Sequence, residues 1–109
     1  MMSSAKKGEE IFRQIADIDR VVHEPARLMI LLFLYSLESS DFLFLMRATE
    51  LTWGNLSSHL TKLEEAGYIQ IEKTFEGRKP RTLVRMTPDG RRAIKKYRTT
   101  IELALGNTK

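Results

Sequence analysis

The sequence predicts an α+β domain that is mainly helical: a three-helix core containing a helix-turn-helix, a two-stranded hairpin, and extra helices at both ends. Three observations predict it. Apolar residues recur at helical spacing as far as Gly67. Beyond Gly67 they largely alternate with polar ones, which is the period of a half-buried strand. Helical spacing then returns after Thr87-Pro88-Asp89 and holds nearly to the end.

In chain order, Glu9–Asp19 reads as an amphipathic helix, with Ile11, Ile15 and Ile18 on one stripe that Phe12 extends. His23-Glu24-Pro25 breaks it, and Pro25 suits the first turn of a second helix, where its missing N–H costs nothing. That helix should run to about Leu37. Its stretch Leu28–Tyr35 is apolar all round, so it is expected at the centre, enclosed on several sides. Glu38–Asp41 is a polar turn offering Asp41 as a cap. Phe42–Glu50 follows as a short helix, preceded at most by a residue or two of strand. Thr52 is the expected N-cap of the next helix, which runs to Ala66 and stops at Gly67 as its left-handed C′ residue. Two helices joined by about three residues make a helix-turn-helix. Tyr68–Phe75 and Thr82–Met86 read as strands around a turn at Glu76–Arg81, which holds Gly77 and Pro80. The last helix spans Pro88 to about Leu105, with Ala93, Ile94, Tyr97, Ile101, Ala104 and Leu105 at helical spacing. Residues 9–105 therefore form one domain, with a flexible stretch expected at 1–8 and a flexible tail at 106–109.

A chain of 109 residues fits a single compact domain, since domains commonly reach about 100–150 residues. Its hydrophobic fraction of 42% supports a packed core rather than disorder. Cysteine is absent, which excludes disulfides, thiolate nucleophiles and cysteine-ligated metal. Met1–Gly8 lacks the apolar run of a signal peptide, and Leu28–Tyr35 is too short to cross a bilayer, so a cytoplasmic protein is expected. The net charge of +4 is unevenly spread: residues 1–50 carry −2 and residues 51–109 carry +6. Between Lys73 and Arg98 ten cations face only Glu76 and Asp89. A field focused in one half suits a polyanionic partner.

On a helical wheel of Thr52–Ala66, Leu56, Leu60 and Leu63 fall in one narrow arc and must face the core. Asn55, Ser58, Thr61, Lys62 and Glu65 fall on the opposite arc, with Ser57 and His59 on the flanks. A helix that reads DNA enters the major groove by its N-terminal end and needs small hydrogen-bonding side chains there. Asn55 has the groups to pair bidentately with adenine, and Ser58 both donates and accepts. Lys62 is placed for a phosphate, and so are the amides beyond Thr52. Trp53 either packs on the preceding helix or contacts thymine methyls and sugars. Lys73, Arg78, Lys79 and Arg81 surround the hairpin turn, and a basic hairpin beside a helix-turn-helix is a wing. Each phosphate such a wing neutralises adds a log–log salt slope of about −0.9. The expected DNA-binding set is thus Thr52, Trp53, Asn55, Ser57, Ser58, His59 and Lys62 from the helix, with Lys73, Arg78, Lys79 and Arg81 from the wing.

Five segments in this order resemble the small stand-alone winged helix-turn-helix regulators of bacteria and archaea, within the MarR/ArsR-like superfamily. They are His23–Leu28, Leu51–Leu60, Lys62–Ile69, Phe75–Thr82 and Thr87–Ala93. The resemblance implies a transcriptional regulator that binds double-stranded DNA at a pseudo-palindromic operator, as a homodimer joined through its N- and C-terminal helices. The apolar stripes at Ile11–Ile18 and Ile94–Leu105 also favour a dimer. The resemblance brings no cofactor. Metal-sensing relatives use cysteine or histidine clusters that this sequence lacks, and no residues identify a pocket for a small-molecule effector.

Catalysis is not expected. Ser57, Ser58 and His59 adjoin on one helix, where neighbours in sequence point in different directions, so they form no nucleophile–base pair. The alternative function is a winged-helix protein-interaction module in a larger assembly.

Overall fold

The computed structural model describes residues 4–106. Five helices and three strands follow in the order α1 (Ser4–Ala16), α2 (Pro25–Leu37), β1 (Ser39–Asp41), α3 (Phe42–Thr49), α4 (Trp53–Glu65), β2 (Ile69–Glu76), β3 (Lys79–Met86) and α5 (Pro88–Gly106). The strands form one antiparallel sheet in the order β1-β3-β2.

Local chemistry explains the boundaries. Glu24 caps α2 by accepting the Arg27 amide at 2.9 Å, with Pro25 in the first turn. Asp41 and Thr52 cap α3 and α4 in the same way, through the amides of Leu43 and Asn55. Helix α4 ends in a Schellman motif: the Tyr68 amide reaches Leu63 O at 3.0 Å and the Gly67 amide reaches Glu64 O at 2.9 Å. That geometry needs a left-handed residue, and Gly67 supplies it at φ +82°.

Leu56, Leu60 and Leu63 of α4 meet Ile30, Leu31 and Leu34 of α2, Leu45 of α3 and Val84 of β3 in one core, all buried. Helix α2 is central, as its composition predicts, and touches α3, α4, α5, β1 and β3. It is not enclosed all round, however. Leu32 is 51% exposed, and with Leu37, Leu43 and Phe44 it leaves an apolar face of α2 and α3 open to solvent. A domain of this size has too few elements to wrap both sides of such a helix.

Several boundaries differ from the sequence reading. Helix α1 spans Ser4–Ala16, beginning before Glu9 and stopping short of Asp19, and α5 takes in Gly106; residues 1–3 and 107–109, where flexible ends are expected, lie outside the described residues. The polar turn before α3 contains strand β1, which pairs Ser40 with Val84 and makes the sheet three-stranded at its base. The hairpin turn is tighter than expected. Glu76 pairs with Lys79, leaving only Gly77 and Arg78 between the strands. Gly77, at φ +64°, holds the first central position, where a type II′ turn requires glycine.

Helix α1 packs on α5, and the segment that follows it is tied to the domain where Asp19 accepts the Tyr68 hydroxyl. Burial and that carboxylate push the Tyr68 phenol up to about 12. Among the described residues no helix is long and apolar enough to cross a membrane.

Candidate nucleic-acid interface

The leucine arc of α4 fixes which of its residues face outward. With Leu56, Leu60 and Leu63 buried, Asn55, Ser58, Thr61 and Lys62 are exposed on the far side, as the wheel predicts. Thr52, Trp53 and Gly54 are exposed at the N-terminal end. Trp53 meets the packing expectation in part. Its ring lies 4.4 Å from that of Phe42 on α3, yet 62% of the residue remains open.

Ser57 and His59 flank the helix and are half-buried. His59 turns towards α2, where its Nδ1 lies 3.3 Å from the Arg27 guanidinium and 3.6 Å from the Glu24 carboxylate. Arg27 also donates to Val21 O at 2.7 Å, so it fastens α4 to the chain ahead of α2. Burial opposes ionisation of Glu24, but the Arg27 and Ala26 amides and the nearby His59 and Arg27 side chains outweigh it and lower its pKa. His59 therefore braces the helix from behind, and the outward face is narrower than the full sequence-derived set.

In the wing, Lys73, Arg78 and Lys79 are exposed. Arg81, expected to meet a phosphate, is instead engaged by carboxylates of the chain itself. It donates from Nη2 and Nε to Asp41 at 2.6 and 3.2 Å, and from Nη1 to Glu76. The Arg81 hydrogen bond is the main reason that the Asp41 carboxyl titrates below its ordinary value. Sequence spacing gave no sign of this pairing, because Asp41 lies 40 residues away. Two exposed residues near the interface also escaped the sequence reading. Gly54 sits in the first turn of α4 with open space at its Cβ position, and Phe75 near the wing tip is 70% exposed.

A polar helix face beside a cationic hairpin is the arrangement by which winged helices meet duplex DNA. The family model described as "Winged helix DNA-binding domain" matches residues 26–105. The chain belongs to that family. Among relatives of this winged helix domain, the uncharacterized protein MJ0432 of Methanocaldococcus jannaschii is 37% identical over 78 residues, covering 72% of this chain and 85% of MJ0432. The solved structure of a transcriptional regulator homologue from Pyrococcus horikoshii OT3 aligns with a TM-score of 0.79 at 27% identity, over 94% of this chain and 96% of that one. Reduced AbfR bound to DNA shares the fold at a TM-score of 0.64 and 17% identity, over 96% of this chain and 66% of its own. The winged helix-turn-helix architecture read from the motifs is thus the architecture of this family.

Proposed function

We propose that this winged helix protein is a transcriptional regulator that binds double-stranded DNA in a sequence-specific manner, as a homodimer on a pseudo-palindromic operator. One observation carries the reading: the exposed uncharged-polar side of α4, at Asn55 and Ser58, stands beside a wing whose Lys73, Arg78 and Lys79 are open to solvent. Asn55 and Ser58 read base edges, the α4 amides and Lys62 hold phosphates, and the wing cations grip the flanking backbone.

The dimer is supported by shape and by surface. The Cα radius of gyration is 17.0 Å, against roughly 13 Å for a compact chain of about 100 residues. Phe12 of α1 is 75% exposed and Ile15 37% exposed, although α1 already packs on α5. The apolar stripe is therefore only half used within one subunit, and a second copy would cover the rest.

Selection of bound duplexes from a random library, followed by titration of the best one at several salt concentrations, tests the reading. A symmetric half-site pattern is expected, and Asn55→Ala should cost about 1–3 kcal/mol and relax preference at one base position. Loss of affinity without any change in preference would remove Asn55 from base reading. Absence of binding at low salt would overturn the function itself.

A further inference from the structure

The two faces of the wing carry different charges. Strand alternation puts Lys73 and Phe75 of β2 on the side that presents Ile69 to the core, and the register sets Thr82 and Pro80 of β3 opposite them. Lys73 is the one charged residue on that side of the hairpin, joined by Arg78 at the turn. On the other side Lys79, Arg81 and Arg85 are offset by Glu72 and Glu76, and by Asp41 of the neighbouring β1. A polyanion approaching the wing therefore meets an acid-free surface only on the Phe75 side.

Phe75 is the anomaly of that surface. It is 70% exposed, and no fold contact explains so large an apolar group at the tip. Pro80, directly across from it, extends the apolar spot. We infer that Phe75, backed by Pro80, is a DNA contact: an apolar tip that lies against the sugars of the minor groove flanking the α4 site, with Lys73 and Arg78 on the phosphates to either side. Apolar wedges in that groove are a known means of binding duplex DNA, and cations at both edges hold the wedge in place. The inference rests on the DNA-binding reading above, in which a wing can reach into the adjacent minor groove, and adds the side chain that enters it.

Phe75→Ala and Phe75→Leu, each titrated against the selected duplex in full-length protein, test it. Phe75→Ala should fold normally, bind about tenfold more weakly, and keep the wild-type salt slope, because it removes apolar contact and no charge. Phe75→Leu should recover most of the loss. Replacing flanking G·C pairs with I·C removes the guanine amino group from the minor groove and leaves the major-groove edge unchanged. That change should tighten the wild type and leave Phe75→Ala unmoved. Equal affinity of Phe75→Ala and wild type would overturn the inference while sparing the function, as would an equal response of both to inosine. A shift of Phe75→Ala towards monomer in sedimentation, with DNA affinity unchanged, would assign Phe75 to a second copy of the chain and also overturn it. A wild type that binds no selected duplex would instead remove the DNA-binding reading itself.

Discussion

Asp41 serves Arg81 and the start of α3 at once: one carboxylate oxygen caps the Leu43 amide at 2.6 Å, and the other takes the Arg81 guanidinium at 2.6 Å. The wing and the first helix of the helix-turn-helix are thereby fixed to a single side chain. Rotation of the wing about its base would have to break a charge-assisted pair. Arg81 thus aims the hairpin, and the phosphate contacts fall to its exposed neighbours.

Arg81→Ala and Asp41→Asn should therefore behave alike. Both should weaken DNA binding several-fold and leave the salt slope unchanged, whereas Arg78→Ala should make the slope shallower by about 0.9. Titrations across salt separate the two outcomes, and a shallower slope for Arg81→Ala would make it a phosphate ligand after all. The pair also has a pH signature. Asp41 is depressed in the folded state, so its contribution is complete above the ordinary value of 3.8 and is lost as pH falls through the lower folded value. Asp41→Asn should lack that part of the acid limb in a stability–pH profile.

Gly90 is required by proximity rather than by backbone angle. A Cβ there would lie 2.2 Å from the Tyr68 carbonyl oxygen and 3.0 Å from its carbon. Those atoms are backbone and cannot swing aside, because the same carbonyl accepts the Thr87 amide at 3.0 Å. Gly90→Ala should cost about 1–3 kcal/mol, as overpacking does, despite the better helix propensity of alanine. Denaturant midpoints check this, and a neutral result would mean that α5 shifts freely against the Tyr68 backbone.

The contrast between these sites shows what the sequence made legible. Helices α2 and α4 were readable to within a residue, because Pro25, Thr52 and Gly67 act on their own neighbours. The outward face of α4 was readable because leucine spacing reports which side is buried. Strand β1 was legible only as a residue or two of strand ahead of α3, since Ser39–Asp41 is too short and too polar to show a period. The first residues of β3 were read as turn because Pro80 and three cations look like one. The flank position of His59 was readable, but its partners Arg27 and Glu24 were not, and neither was the anchoring of Arg81, since each depends on a partner from a distant segment. The open face at Leu32 was hidden for the opposite reason: an all-apolar helix announces burial without saying how many neighbours the fold can supply.

The exposed part of the α1 stripe gives a prediction about assembly. Phe12→Glu puts a charge where the side chain already meets water in one subunit, so the fold of that subunit should survive. In a dimer closed through α1 and α5 the same charge would be buried without a partner. Sedimentation should then show a monomer for Phe12→Glu at concentrations where the wild type is a dimer, with unchanged helix content. Operator affinity should fall with it, because two half-sites would no longer be held together. A wild type that sediments as a monomer at high concentration would remove the proposed dimer.

Gly54 sets stability against function. Glycine in a helix costs about 0.5–1 kcal/mol relative to alanine, and the usual reasons for accepting that cost are missing. Its φ is not positive and nothing lies within 4 Å of a Cβ placed there. The open space is on the outside of the first turn of α4, between Trp53 and Asn55, where a groove-bound helix comes nearest to the DNA backbone. A methyl group would occupy the distance that the α4 amides need in order to reach a phosphate. Gly54→Ala should accordingly raise stability by up to about 1 kcal/mol in denaturant unfolding and lower operator affinity about tenfold. If Gly54→Ala gained stability and bound DNA as tightly as the wild type, the first turn of α4 would stand farther from the duplex than its exposed polar groups require.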